Sequence, residues 1–237
     1  MAKGLVVITG ATAGIGKALA QSFINIGHPC LLLARHTDNR LKIESELAMY
    51  NDVNVQDYQS LDTAISEAEK RFGPTNCLIN NAGLINVGGL ESMPIEKIHN
   101  EIDTMVKGVL NGIHIVLPGM QDNGSGTIIN ISSIGDRTPG EAATTYHACK
   151  HAVRSIGESL NKSEAMHNVR VLNIAPGLIR TEIHQNMGIS FEEYCEKLGN
   201  PTFIEPEELA EIILFCWQQP QHICIRDIVV MPTDCSF

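Results

Sequence analysis

A chain of 237 residues, 43% apolar and 19% charged, is long enough to bury one large core without disulfides or a metal. Its formal net charge of −10 argues against a nucleic-acid partner, whose phosphates require a basic surface, and no apolar run approaches the length of a membrane span. Seven cysteines form no CxxC pair and nine histidines form no spaced cluster, so no metal site is expected and the chain reads as a reduced, cytoplasmic protein.

The N-terminus enters a short strand at 5–8 directly, with no signal segment before it. The spacing then predicts a helix over about 15–27, a strand at 30–33, a helix over about 38–48 and a weaker strand near 53–55. A helix over about 60–72, a strand at 77–79, a long helix over about 94–119 and a strand at 128–131 follow. The last elements are a helix over about 145–167, a strand at 169–174, a helix over about 205–218 and a strand at 228–230. The strands lack polar alternation, as central parallel strands covered on both faces do. No linker, repeat or low-complexity tract divides the chain. Strand–helix alternation on this scale predicts an α/β fold, a doubly wound parallel sheet in a single domain over 1–237, with ligands at the carboxyl ends of the strands.

Directly after the first strand stands Thr9-Gly10-Ala11-Thr12-Ala13-Gly14-Ile15-Gly16, opening the first helix. Gly10 permits the tight turn, Gly14 lets the backbone approach a pyrophosphate, and Gly16 allows close helix–strand packing. The pyrophosphate would rest among Thr12, Ala13 and Ile15 at the positive end of the helix, which makes the fold Rossmann-like. After the second strand, where an acidic residue usually meets the ribose of NAD, the chain has Arg35 and no carboxylate before Asp38. A guanidinium there suits the 2′-phosphate of NADP. NADP(H) is therefore the expected cofactor, with NAD(H) as the alternative.

Tyr146 and Lys150, four residues apart on a predicted helix, project from one face. An ammonium close to a phenol favours the phenolate and is expected to lower the tyrosine's pKa from its ordinary value of about 10. Ser133, with Ser132 as its competing neighbour, ends the fifth strand's apolar run, and strand alternation lets only one of the two face the site.

The glycine turn, spaced Gly-x-x-x-Gly-x-Gly, is followed in order by Asn80-Asn81-Ala82-Gly83, Tyr146-His147-Ala148-Cys149-Lys150 and Pro176-Gly177. The sequence thereby resembles the short-chain dehydrogenase/reductase family along its whole length. The resemblance implies hydride transfer between a nicotinamide cofactor and a small carbonyl or alcohol substrate. Tyr146 would be the general acid/base, Lys150 would hold both it and the nicotinamide ribose, and Ser133, thirteen positions before Tyr146, would polarise the substrate oxygen. Asn54, Asn81, Ala82, Gly83, Pro176, Gly177, Ile179 and Thr181 fall at positions that contact the cofactor, and about 178–203 would form a substrate lid. The C-terminal 225–233 resembles a cytosolic NADP-dependent branch that includes serine 3-dehydrogenases and related carbonyl reductases. The long helices at 94–119 and 145–167 would pair copies into a homodimer or homotetramer.

Besides Asn54, which stands where the family usually has an Asp, two positions depart from the family. Ala13 stands where NADP-dependent members often carry a basic residue, and Met105 stands where they carry an Asn that holds a relay water behind the lysine. Asn111 lies six residues on and is not expected to take over that role. The departure at Met105 leaves a second reading open, a dinucleotide-binding regulatory protein with impaired catalysis.

Overall fold

The computed structural model describes residues 3–37, 43–183 and 189–235. Strand β1 (Leu5–Thr9) leads through the glycine turn into α1 (Gly14–Asn25), and β2 (Cys30–Ala34), β3 (Ala48–Asp52), α2 (Tyr58–Phe72) and β4 (Thr75–Asn80) follow. Next come α3 (Ile95–Ile102), a π-helical turn (Asp103–Lys107) and α4 (Gly108–Asp122), then β5 (Gly126–Ile131), α5 (Thr144–Ser163) and β6 (Val169–Pro176). Helices α6 (Phe191–Lys197) and α7 (Pro206–Gln218) precede β7 (Asp227–Val230).

The strands form one parallel seven-stranded sheet in the order β3-β2-β1-β4-β5-β6-β7, the Rossmann-like doubly wound arrangement expected. Winding reverses between β1 and β4, and such a reversal opens a crevice at the carboxyl ends of those strands. Both faces of the sheet are covered, which explains the unbroken apolar runs. Val6 and Ile8 of β1 pack with Leu19 and Phe23 of α1 and Leu209 and Ile213 of α7. Leu5 and Val7 face the other way, onto Leu61 of α2, Ile113 of α4 and Val153 of α5. Each such side chain, once fully buried, contributes roughly 1.5–3 kcal/mol.

A ladder of buried amides crosses the sheet just below the crevice. Asn80, Asn130 and Asn173 are register partners on β4, β5 and β6. Asn80 Nδ2 donates to Asn130 Oδ1 at 3.0 Å, Asn130 Nδ2 to Asn173 Oδ1 at 3.2 Å, and Asn173 Nδ2 to the Arg154 carbonyl at 3.2 Å. Gly112 of α4 and Gly157 of α5 leave room for it, since a Cβ at either would press on the Asn80 or Asn173 amide.

Three sequence expectations need correction. The helix predicted over 38–48 does not form in its described part, which is loop and turn from 43 until β3 begins at Ala48 (residues 38–42 lie outside the described residues). Strand pairing with β2 outweighs the local pattern, and the Tyr50 hydroxyl accepts the Ile43 N–H at 2.7 Å. The strand predicted near 53–55 is displaced to Ala48–Asp52. Val53 and Val55 are buried as a loop instead, with Val55 lodged where a Cβ on Gly108 would come within 2.6 Å. The long helix predicted over 94–119 is two helices separated by the π turn.

Candidate active site

The crevice opens into a cavity of about 900 Å³ whose wall includes the glycine turn, the ends of β2, β4, β5 and β6, and the start of α5. Gly10 (φ 64) and Gly14 (φ 48) occupy the left-handed region, which favours glycine, and a Cβ on Gly16 would collide with the Gly10 carbonyl. Among the described residues helix α1 has no side-chain cap at Ala13, and Gly14 and Ile15 of its first turn line the cavity. Thr12, Ala13 and Ile15 complete this cradle, which suits a pyrophosphate. The Thr9 hydroxyl accepts the N–H groups of Asn81 (2.9 Å) and Ala82 (3.0 Å), while Asn81 Nδ2 donates to the carbonyls of Thr9 and Gly10. Asn81 thus works chiefly as a clasp between β1 and β4, and Ala82 and Gly83 continue the wall beyond it.

At the far end of the cavity stand Arg35, His36 and Asn54. The nearby carboxylate of Asp52 is occupied, accepting the backbone N–H (2.7 Å) and hydroxyl (2.6 Å) of Thr37. Asp38 lies outside the described residues.

At the opposite end, Ser133, Tyr146 and Lys150 share the wall. The Ser133 hydroxyl accepts the Gly135 N–H at 3.1 Å and lies beside Tyr146, whose phenolate it favours. Ser132 turns inward, where its hydroxyl donates to the buried Asp136 at 2.6 Å. Lys150 is buried, its Nζ donates to the Ile131 carbonyl at 2.8 Å, and it lies 5.6 Å from the centre of the Tyr146 ring. The expected lowering of the tyrosine's pKa is not found. Desolvation dominates at both groups: it pushes the Tyr146 phenol up to about 12, against the lowering influence of Ser133, and pushes the Lys150 ammonium down to about 8.

From β6 onward, Pro176, Gly177 and Ile179 border the cavity, and Thr181 lies over the cradle, its Cγ2 3.0 Å from where a Gly14 Cβ would stand. The segment is stitched at its base, with Arg180 N–H donating to the Ile204 carbonyl and Ile204 N–H to the Leu178 carbonyl. A glycine cradle suited to a pyrophosphate, an end bearing Arg35 where the Asp52 carboxylate is occupied, and a Ser–Tyr–Lys cluster therefore share one cavity.

The family model for short chain dehydrogenases matches residues 4–190. The chain belongs to that family. It is 30% identical to a probable NADP-dependent dehydrogenase of Haemophilus influenzae, over 98% of this chain and 94% of that one, and 30% identical to an uncharacterized oxidoreductase of Staphylococcus aureus, over 96% of each. A serine dehydrogenase in its closed form with NADP+ superposes with a TM-score of 0.92 at 28% identity, covering 98% of this chain and 96% of that one. The serine dehydrogenase of Escherichia coli gives 0.83 at 26%, covering 98% and 100%. The protein is accordingly an oxidoreductase that moves a hydride between a nicotinamide cofactor and a carbonyl or alcohol carbon.

Within this dehydrogenase, Met105 is buried in the π turn, and its thioether and the Lys150 ammonium both flank Gly83, at 3.7 and 3.8 Å from where a Cβ would be. Asn111 is indeed elsewhere, its Nδ2 donating to the Val55 carbonyl at 2.9 Å. In the segment expected to form the lid, Glu182, Ile183, Ile189 and Tyr194 reach the cavity, whereas Phe191 packs against Phe203. His184 and Met187, also expected in the lid, lie outside the described residues.

Sequence reasoning missed the network beneath Ser132. Arg137 bonds Asp136 (Nε to Oδ1, 2.6 Å) and spans to Asp227 with both terminal nitrogens (3.0 and 2.9 Å), while Arg154 pairs with Glu158 at 2.9 Å. It anchors the Ser133 loop to α5 and β7. No local signal reveals it, because Arg137 and Asp227 are 90 residues apart. Glu101 was missed as well. It is buried, accepts the Asn86 N–H at 2.6 Å, and has its carboxyl pKa raised by desolvation.

Proposed function

We propose that this oxidoreductase is an NADPH-dependent carbonyl reductase in which Ser133, Tyr146 and Lys150 act on the substrate oxygen. The observation that carries the reading is that Ser133, Tyr146 and Lys150 line the same cavity as the glycine cradle. The nicotinamide, when bound, supplies the hydride to the carbonyl carbon. Tyr146 gives its phenolic proton to the oxygen, and Ser133 donates a hydrogen bond as charge develops there. A phenol held near 12 stays protonated at neutral pH, which suits donation during reduction and disfavours the reverse oxidation. Lys150 steadies the negative charge that the departing proton leaves on Tyr146, and would also reach a nicotinamide ribose. The intact trio favours this reading over the regulatory one, for which Met105 is the sole support.

Preference for NADP(H) over NAD(H) is supported by Arg35 at the ribose end, by the occupied carboxylate of Asp52, and by the NADP-linked names of the relatives. Gly10, Thr12, Ala13, Gly14, Ile15, Gly16, Asn54, Asn81, Ala82, Gly83, Pro176, Gly177, Ile179 and Thr181 would hold the remainder of the cofactor. The chain acts as a single domain with 178–203 as lid. Seven free cysteines fit a reducing cytoplasm, and exposed Ile102 and Leu110 on the outer side of α3 and α4 fit pairing of copies.

The test is consumption of NADPH against a panel of small carbonyl compounds by the wild type and Tyr146→Phe. The variant keeps the ring and the cradle, so NADPH affinity is expected to stay and turnover to fall by about 10²–10⁴-fold. Turnover at the wild-type level in the Phe variant would remove Tyr146 from the reaction.

A further inference from the structure

The helix that carries Tyr146 and Lys150 also carries a histidine to which the chemistry above gives no task. His147 lies between α5 and the loop 135–143, which brings Gly135, Thr138, Gly140 and Glu141 to the cavity wall. Both ring nitrogens are engaged. Nε2 accepts the Gly140 N–H at 3.0 Å, and Nδ1 is 3.2 Å from the Gly135 carbonyl oxygen. A backbone N–H only donates and a carbonyl only accepts, so the imidazole is neutral with its hydrogen on Nδ1. The ring lies against Gly135, where a Cβ would collide with Nδ1, and the Tyr146 ring stands edge-on at a centroid distance of 5.5 Å.

The loop needs this support. From Pro139 to Ala142, among the described residues, its backbone has two hydrogen bonds to the rest of the protein: Gly140 to His147, and the Gly88 N–H to the Ala142 carbonyl at 2.8 Å. Between them Glu141 faces the cavity, and Ala142 is held at φ 57, a left-handed conformation that alanine leaves when nothing fixes it.

We propose that His147 is a positioning residue: it latches the substrate-facing loop to the catalytic helix through Gly140, and protonation of Nε2 releases the latch. The proposal rests on the cavity being the substrate site. A proton on Nε2 sets N–H against N–H and turns that bond into repulsion, while the Nδ1 bond to Gly135 survives. The loop then loosens around Gly140 and Glu141, so substrate binding weakens in acid while Ser133, Tyr146 and Lys150 keep their places. Among the described residues, the charged and titratable groups around the ring are few. On α5 they are Tyr146, Lys150 and His151, whose Nδ1 meets the His147 carbonyl at 2.8 Å. On the loop they are Asp136 and Arg137, paired with each other, and exposed Glu141. Glu101 approaches from α3 and Tyr194 from α6, both within electrostatic reach of Tyr146. Asp136 and Arg137 belong to one ion-pair network with Arg154 and Asp227, so the ionisable acceptor at the latch itself is the imidazole.

Histidine-labelled full-length protein tests the latch without any substrate. Nitrogen chemical shifts should show the Nδ1–H form of His147 at mildly alkaline pH, with the Gly140 amide slow to exchange. On acidification, imidazolium formation and faster Gly140 exchange should titrate together. Kinetically, KM for the carbonyl substrate should rise across that titration by about two- to tenfold, the effect of one lost hydrogen bond, with kcat nearly constant. His147→Gln keeps an acceptor and cannot titrate, so its KM should be low and flat with pH. His147→Leu keeps bulk without an acceptor, so its KM should be high at every pH. An Nε2–H tautomer, Gly140 exchange indifferent to the ionisation of His147, or a Gln variant that retains the acid rise in KM would overturn the proposal. If the tautomer and exchange results hold while no carbonyl is reduced, the latch stands and the reading of the cavity as a carbonyl site falls.

Discussion

The alkaline limb of the pH profile should belong to Lys150, and Met105 should set where it falls. The ammonium has three N–H donors, and among the described residues the protein supplies an acceptor to one of them, the Ile131 carbonyl. The thioether of Met105 stands on the same side of Gly83 as the ammonium and offers it only a weak acceptor. Holding the charge there moves the lysine from 10.5 to about 8, a cost of about 3 kcal/mol. With a midpoint near 8, about nine-tenths of the lysine is charged at pH 7 and about one-tenth at pH 9. Since Tyr146 itself titrates near 12, reduction should keep its plateau kcat at pH 7 and fall to roughly a tenth of it at pH 9. Met105→Asn places an amide beside the ammonium, directly or through a water. A hydrogen bond to a charged group is worth about 1.5–3 kcal/mol, which should carry the midpoint up by roughly one to two pH units. The assay is steady-state NADPH oxidation at saturating carbonyl between about pH 6 and 10, run in light and heavy water. The Asn variant should also show a higher kcat and a smaller solvent isotope effect than the wild type. A wild-type profile flat to pH 9.5, or a limb that Met105→Asn leaves in place, would refute the assignment of this ionisation to Lys150 and its control by Met105.

Two further outcomes follow from named contacts. Arg35→Ala should erase most of the preference for NADPH over NADH, about ten- to a hundredfold in dissociation constant when measured by fluorescence titration; equal binding of both cofactors by the wild type would reject the NADP assignment. Arg170→Met should lower stability by at least about 3 kcal/mol in urea unfolding, because the buried guanidinium satisfies Thr127 Oγ1 and the carbonyls of Trp217, Gln219, Pro220 and Ile223, which would lose a charged donor together; a midpoint within experimental error of the wild type would contradict it.

The sequence by itself determined the architecture and the reaction class, because the physics that sets them is local. Period and burial within a few residues place β1, α1 and the glycine turn. Gly10 and Gly14 are required by backbone angles of their own, and Tyr146 and Lys150 share a helix face at a spacing of four. The errors arose where a longer-range contact outweighs the local pattern. Ala48–Asp52 is a strand because β2 offers it a ladder, and Val53 and Val55 are buried by loop packing rather than by a sheet. Tertiary structure supplied the reason that Ser132 turns away, since it is drawn inward by Asp136, itself fixed by Arg137 and the distant Asp227. It also reversed the expected direction at Tyr146: a spacing of four brings a lysine near, but how dry the site is depends on everything that packs around it, and here desolvation outweighs attraction between the pair. The same holds for His147. Its two hydrogen-bond partners lie seven and twelve positions earlier, in a loop whose path no periodicity records, and only the folded chain brings them to its ring.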